Sequence, residues 1–187
     1  MYSIYVALRI VSRMYVGKQG RKKFFRLCPD RLVFFNFVKR TSDNFLFYIR
    51  KGGDELRISE LAHESEVRRV FQPHENDVVV DVGAHVGTHT IRLARRAKLV
   101  VAIEPNPSTF HMLRYNIRLN ELKNVLPINA GVGRENGIMY LEELGEHGWT
   151  RLRRRGEIPV KVCSLDSLIE ELKVEKVDWI KMDTEGM

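Results

Sequence analysis

The fold is decided by residues 77–87, Asp77-Val78-Val79-Val80-Asp81-Val82-Gly83-Ala84-His85-Val86-Gly87. A valine run leads through Asp81 into a turn with glycines at 83 and 87. Such glycines let the backbone approach a ligand and begin a helix without a Cβ clash. The next apolar run, 99–103, also ends in a carboxylate, Glu104. The pattern predicts a nucleoside-binding βαβ unit in which Glu104 accepts bonds from both ribose hydroxyls.

The details of this stretch favour one cofactor class over another. A dinucleotide site needs G-x-G-x-x-G, but His85 stands two residues after Gly83. Asp81 would repel a pyrophosphate and attract an ammonium group. S-adenosylmethionine has an ammonium, a sulfonium and an unphosphorylated ribose, so the sequence predicts a site for it. The simpler alternative is a generic βαβ unit whose glycines only form a tight turn, and it leaves both carboxylates unexplained.

Strands and helices alternate from residue 77 onward, which predicts an α/β fold with a parallel, doubly wound sheet. Ligands bind such sheets at the carboxyl ends of the strands. Asp81, Glu104, Asn129 and Asp183 all follow predicted strands directly. The polar stretch 142–158 is expected to be an inserted segment that helps to specify the substrate.

The first 72 residues predict a separate extension, a hairpin and a helix rich in aromatic residues, before a Rossmann-like domain at 73–187. Residues 1–40 hold ten basic side chains and one acid, whereas the rest of the chain holds 21 and 23. This asymmetry is compatible with nucleic acid, an anionic membrane surface or a solvated basic face. The aromatic residues of 24–48 favour a hairpin that covers a core over a base-stacking surface.

Composition excludes few classes of protein. The chain has 187 residues, enough for one domain with a core. Its two cysteines, Cys28 and Cys163, have no metal-site spacing, so we expect reduced thiols and a cytoplasmic location. Arg9 interrupts the apolar N-terminus, which is expected to form neither a signal peptide nor a membrane span. An amphipathic helix that packs on the domain or lies on a membrane surface is compatible with it.

Several motifs in a fixed order carry a resemblance to a known enzyme family. They are Asp-Val-Gly-Ala-x-x-Gly (81–87), Glu-Pro-Asn-Pro (104–107), Tyr-Asn to Asn-Val (115–125), Asn-Ala-Gly-Val-Gly (129–133), Ser-Leu-Asp-Ser-Leu (164–168) and Lys-x-Asp-x-Glu-Gly (181–186). Roughly residues 60–187 thereby resemble the FkbM-type methyltransferases, a branch of the class I S-adenosylmethionine-dependent enzymes. The resemblance implies O-methylation of a sugar, a lipid-linked or a small-molecule hydroxyl.

The resemblance also implies roles for individual residues. Asp81, Gly83 and Gly87 would hold the methionine end of the cofactor, Glu104 the ribose, and Asn129 with Ala130 the adenine. The implied cofactor-binding set is Asp81, Gly83, Ala84, His85, Gly87, Glu104, Pro105, Asn106, Asn129 and Ala130. Asp183 and Glu185 are the candidate bases for the acceptor hydroxyl, and no metal site is expected. His85 is a further candidate base, although a loop residue packed on the cofactor is the simpler interpretation.

On this resemblance the chain stops soon after the fourth parallel strand of a sheet ordered 3-2-1-4. We therefore expect the C-terminal strands of the family fold to be missing and the fourth strand to lie on an open edge. An open apolar edge invites pairing with a second copy, which predicts a homodimer. Two alternatives to methylation of a small molecule or glycan stay open. The chain could be a tRNA or RNA methyltransferase that contacts phosphates through the basic residues of 1–40, called the N-terminal arm, or a shortened protein that binds the cofactor without catalysis.

Overall fold

The computed structural model describes residues 33–60, 65–144 and 149–184. The elements in chain order are β1 (Phe37–Arg40), β2 (Leu46–Ile49), α1 (Glu55–Ile58), α2 (Ser65–Val70), β3 (Val78–Val82), α3 (Thr90–Ala94), β4 (Leu99–Ile103), α4 (Pro107–Leu119), β5 (Val125–Ile128), β6 (Gly131–Val132), β7 (Gly137–Leu144), β8 (Trp149–Arg153), β9 (Ile158–Cys163), α5 (Leu165–Glu171) and β10 (Trp179–Met182).

A four-stranded parallel sheet carries the strands that end in the predicted site. Its order is β10-β3-β4-β5. Strands β3 and β4 lie in its middle, and their apolar side chains are buried on both faces, as in sheets covered by helices. Reading from β5 to β10 gives the predicted order 3-2-1-4, so the α/β, Rossmann-like fold class is confirmed. The predicted dimer contact along β10 stays a prediction.

Local signals in the sequence account for the ends of the helices. Pro107 opens α4, and the Asn106 side chain accepts hydrogen bonds from the N–H groups of Ser108 and Thr109. Ser164 caps α5 by accepting from the N–H of Ser167 at 3.1 Å. The helix that follows the glycine turn, α3, is short: it covers Thr90–Ala94 and turns flank it.

A second, mixed sheet follows the parallel one, in the order β6-β9-β7-β8. The stretch 142–158, predicted to be an inserted polar segment, contributes the strand β8, which pairs antiparallel with β7. The sequence did not indicate this strand, because the stretch is rich in arginine and lacks the alternation of apolar and polar residues that marks a half-buried strand. Arg153 instead pairs with Glu142 on the neighbouring strand, with Nε and Oε2 2.8 Å apart.

The predicted N-terminal hairpin is present and its aromatic side chains cover a core, as expected. Strands β1 and β2 pair antiparallel, and Phe45 and Phe47 are buried beside Ile91 of α3. Two of the basic residues counted in the N-terminal arm belong to this hairpin. One of them, Lys39, is buried and bonds to the Leu56 carbonyl and to Glu60, so it is not part of a solvated basic face.

The other basic residues of the arm and the apolar N-terminus lie outside the described residues, as does Cys28. The second cysteine, Cys163, is a buried free thiol of β9. Among the residues that the structure describes, no helix is both long and apolar enough to cross a membrane.

Candidate functional site

The carboxyl ends of β10, β3 and β4 bring several predicted site residues together. Asp81 on β3 lies opposite Lys181 on β10, and Ala102 of β4 is its partner on the other side. Asp183 follows β10, and its N–H donates to the carbonyl of Val82 at 3.0 Å. The parallel strands thus place the glycine turn at 83–87, Glu104 and Asp183 at one edge of the sheet. The second candidate base, Glu185, lies outside the described residues.

The glycine turn between β3 and α3 is shaped by left-handed backbone conformations. Gly83 has a φ of +77° and Gly87 a φ of +91°, and His85 between them has a φ of +53°. A Cβ at Gly83 would overlap the backbone oxygen of Asp183. The N–H groups of Gly83 and Ala84 both donate to the carbonyl of Ile103, at 2.9 and 3.0 Å. The turn is therefore fixed between β4 and the residue after β10, and only glycine fits at position 83.

Glu104 is buried, and each oxygen of its carboxylate accepts one backbone hydrogen bond. Oε2 accepts from the N–H of His85 at 2.8 Å, and Oε1 accepts from the N–H of Asn106 at 2.9 Å. Burial raises the pKa of Glu104 to about 7, these two bonds oppose the shift, and the negative charge of Asp81 adds to it. Each oxygen keeps a further lone pair, so the ionised carboxylate retains acceptor capacity for two hydroxyl groups.

Asp81 is fully buried and only half of its carboxylate is hydrogen-bonded. Oδ2 accepts from the hydroxyl of Thr90 at 2.6 Å. Oδ1 makes no hydrogen bond, and the ammonium of Lys181 lies 3.4 Å from it. The same ammonium lies 3.6 Å from Oδ2 of Asp183. Lys181 therefore links the cofactor-side carboxylate to the predicted acceptor-side one.

Other predicted cofactor residues use their side chains to build the site's frame. The Asn106 amide caps α4, as described above. The Asn129 side-chain NH2 donates to the carbonyls of Glu104 and Pro105, at 2.8 and 3.1 Å. The Ala130 side chain is buried in the core beneath the sheet. Their contacts with the adenine stay predictions. The groups left for such contacts are the amide oxygen of Asn129 and the backbone of Ala130.

His85 lies in the glycine turn and is partly buried. Burial lowers its pKa, while the carboxylates of Asp54, Glu55 and Asp183 act in the opposite direction and Arg50 supports the shift. Burial therefore favours the neutral form of the imidazole. Whether it packs against the cofactor or accepts a proton stays a prediction.

Asn116 connects the glycine turn to the hairpin and is fully buried. Its amide donates to the carbonyl of Val86 at 2.9 Å and accepts from the N–H of Tyr48 at 2.8 Å. Sequence reasoning singled out Tyr115-Asn116 only as a motif, and it assigned no role to Lys181. The signal for Lys181 was its place two residues before Asp183, on a strand that the predicted order sets beside Asp81.

S-adenosylmethionine fits the groups at this edge of the sheet. An ammonium group finds an acceptor in Oδ1 of Asp81, the buried oxygen that lacks a hydrogen bond. A pair of ribose hydroxyls finds acceptors in Glu104, and the backbone at Gly83 offers no side chain to obstruct a ligand. Within the described part of the chain, no group of three or more His, Cys, Asp or Glu residues could hold a metal ion.

Comparisons with curated proteins identify relatives in two substrate classes. The hexuronic acid methyltransferase AglP of Haloferax volcanii is 33% identical over 75% of this chain and 59% of its own length. The tRNA(Phe) (4-demethylwyosine(37)-C(7)) aminocarboxypropyltransferase of Methanocaldococcus jannaschii is 51% identical over 36% of this chain and 28% of its own. The chain thus spans less than two thirds of the length of either relative.

Among solved structures, M. jannaschii TYW2 in complex with AdoMet is 39% identical over 51% of this chain and 43% of that one, with a TM-score of 0.41. The model of the methyltransferase FkbM domain matches residues 81–187, from the first carboxylate of the site to the Lys-x-Asp-x-Glu-Gly segment. The cofactor of the chain is S-adenosylmethionine, and its contacts with the residues described above stay predictions. The chain belongs to the FkbM family of methyltransferases.

Proposed function

We propose that the protein transfers the methyl group of S-adenosylmethionine to a hydroxyl oxygen of a sugar. The observation that carries the proposal is the pair of buried carboxylates, Asp81 and Glu104, at the ends of adjacent parallel strands. The glycine turn lies between them, and Asp183 follows the strand on the other side of Asp81. This is one edge of a sheet with cofactor acceptors on one side and a solvent-facing carboxylate on the other.

When bound, S-adenosylmethionine supplies an electrophilic methyl group on a sulfonium. Asp81 holds the ammonium of its methionine end through Oδ1, and Thr90 keeps the carboxylate oriented through Oδ2. Glu104 accepts the ribose hydroxyls while its two backbone bonds fix its position. Most of the catalysis on this scheme is alignment of the acceptor oxygen with the methyl group.

The acceptor side is assigned to Asp183, whose side chain is 61% exposed. Its carboxylate accepts the proton of the acceptor hydroxyl, and Glu185 is proposed for the same task. Lys181 restrains Asp183 by charge attraction at 3.6 Å and leaves it open to solvent. The proposal therefore places proton removal next to the cofactor rather than in the core.

A sugar acceptor is supported by the match to AglP, which extends over 75% of this chain. A tRNA acceptor is the second candidate, because 69 residues are 51% identical to a tRNA-modifying enzyme. That match covers 36% of the chain, however, and eight of the ten basic residues of 1–40 that would contact RNA lie outside the described residues. The sugar acceptor accounts for more of the sequence.

The test begins with calorimetric titration of S-adenosylhomocysteine into the protein and into Asp81→Ala and Glu104→Ala. We expect micromolar binding to the native protein and its loss in both variants. Glu157→Ala, which changes an exposed acid between β8 and β9 of the second sheet, is the matched control and should bind normally. Circular dichroism establishes that each variant is folded.

Transfer of a radiolabelled methyl group to neutral sugars, acidic sugars and unmodified tRNA then separates the acceptor classes. Transfer to a sugar supports the proposal, and transfer to tRNA alone replaces it by the second candidate. Cofactor binding without transfer to any of them would mean that this chain binds the cofactor without catalysis.

A further inference from the structure

A cleft of about 280 Å³ lies between α2, α3 and the turn of the N-terminal hairpin. This volume is near the lower end of small-molecule sites. Its apolar wall is formed by Phe45 and Leu93 and by Val67 and Phe71. The apolar wall suits the C–H face of a small ring.

The rim of the cleft is strongly cationic. The basic residues that line it are Arg68, Arg92, Arg95, Arg96 and Lys181. Asp43 is the only acid among the described residues that line the cleft. The Nε and Nη2 groups of Arg92 donate to its two carboxylate oxygens, at 2.6 and 3.0 Å. Arg92 also donates to the carbonyls of Thr88 and Ser59, so it is a structural link and is not available to a ligand.

Arg95 and Arg96, the two residues that follow α3, form no such ion pair among the described residues. The Arg95 guanidinium lies over the ring of Phe45, 4.2 Å from its centroid. The Arg96 guanidinium donates to the neutral amide of Gln72. Both side chains are exposed, and neither has an acidic partner among the described residues. Their charges are uncompensated at the edge of an apolar cavity.

The cleft and the proposed methyl-transfer site share one residue, Lys181. Lys181 lines it, and the ammonium of Lys181 lies within 3.6 Å of Asp183. A ligand whose charged group sits at Arg95 and Arg96 would have to extend along the cleft and past Lys181 to bring a hydroxyl to Asp183.

We propose that this cleft binds an anionic group of the acceptor sugar, a carboxylate or a phosphate, through Arg95 and Arg96. The inference rests on the proposed function and narrows it to acidic sugars. Guanidinium groups form paired, charge-assisted hydrogen bonds with both kinds of anion. Phe45 orients Arg95 in advance, which reduces the entropy lost on binding.

The probes are methyl glucuronide for the carboxylate, glucose 6-phosphate for the phosphate and methyl glucoside as the neutral match. Each is titrated into the full chain saturated with S-adenosylhomocysteine and followed by NMR. We expect at least one anionic probe to bind about tenfold or more tightly than the glucoside. Arg95→Gln/Arg96→Gln should remove that preference. Lys98→Gln/Arg118→Gln removes the same charge from exposed positions outside the cleft and should keep it.

The two anionic probes distinguish which chemistry the site prefers. Equal binding of all three sugars, or equal loss in both double variants, would overturn the inference. So would binding of tRNA that both double variants weaken alike without any sugar binding, since that is a general field effect. S-adenosylhomocysteine binding in the same samples separates the outcomes. If it binds and the anions do not, the inference fails alone; if the native protein does not bind it, the proposed function fails.

Discussion

The end of the sheet proposed to bind the cofactor, called the cofactor end below, and the cleft between α2, α3 and the hairpin turn are built in different ways. The cofactor end comes from two short segments, 81–87 and 104–106, and most of its contacts use backbone groups. The cleft is assembled from long side chains of the hairpin, α2, α3 and β10. A site made of backbone depends on the turn between two strands, whereas a site made of side chains depends on how distant elements pack.

This difference predicts which substitutions each end tolerates. Changes to the glycine turn should remove function together with local structure. Changes to the exposed arginines of the cleft should alter the preferred ligand and leave the fold intact. The variants below test that division.

Gly83→Ala should have the largest effect. Gly83 combines a φ of +77° with a position where a Cβ overlaps the oxygen of Asp183. We expect a loss of about 3 kcal/mol in the free energy of unfolding and no measurable binding of S-adenosylhomocysteine. Urea denaturation and calorimetry measure the two quantities.

Gly52→Ala is the matched control, because it has a φ of +70° but open space around its Cβ. It should cost about 1 kcal/mol and leave cofactor binding intact. Equal losses in the two variants would mean that the contact with Asp183 is unimportant and that backbone strain alone fixes the turn.

The cofactor end could be predicted from the sequence because its information is local. Valine runs, glycine spacing and strand-end carboxylates indicated the parallel sheet and the place of Asp81 and Glu104, whereas the order of its strands came from the resemblance to the family. The sequence did not show whether Asn106 and Asn129 contact the ligand or hold the backbone in place, since an asparagine that follows a strand is compatible with either role. A helix cap is the commoner use of such a residue before proline.

The cleft could not be predicted in the same way. Arg92 lies on a short helix and would be assigned to solvent by its charge, yet its side chain is 8% exposed. It is buried because Asp43 and the carbonyl of Ser59 compensate it, and both come from distant parts of the sequence. Periodicity describes one element at a time and does not record such partners.

Lys181→Met tests the link between the two ends. It leaves the buried charge of Asp81 without its cation, so we expect a loss of about 3 kcal/mol in the free energy of unfolding. Asp81→Asn in the same chain removes that charge and should restore much of the stability. The double variant should still bind S-adenosylhomocysteine at least about tenfold more weakly, because the ammonium has lost its carboxylate. Normal binding by the double variant would contradict the role given to Asp81.

Asn116→Ala tests whether the hairpin supports the cofactor turn. It leaves the Tyr48 N–H and the Val86 carbonyl without a partner, which should cost about 2 kcal/mol. Since Val86 belongs to the glycine turn, S-adenosylhomocysteine binding should weaken as well.

Asn120→Ala is the control for this variant, because Asn120 bonds to the same hairpin strand at Leu46 without touching the turn. It should lower stability and leave the affinity unchanged. Equal losses of affinity would assign the effect to hairpin docking as a whole.

The mildest perturbation is a change of pH, which leaves the sequence intact and acts at Glu104. Its pKa of about 7 means that the free protein carries a partly neutral carboxyl near neutrality. For folding, the raised pKa gives a contribution present in full below the ordinary value of 4.5 and lost as pH rises through about 7. Cofactor binding should depend on pH with the opposite sign, because ribose hydroxyls donate to the ionised form.

The affinity for S-adenosylhomocysteine should therefore fall by up to about tenfold per pH unit below pH 7 and level off above it. Calorimetry in buffers of different ionisation enthalpy should detect one proton released on binding at low pH. In Glu104→Gln both the slope and the proton release should disappear, although overall affinity is weaker. If the variant keeps the slope, another group titrates, and His85 is the first alternative because it lies in the glycine turn and its backbone N–H donates to Glu104. The comparison thus separates a carboxylate that receives the ribose from one that only anchors the glycine turn.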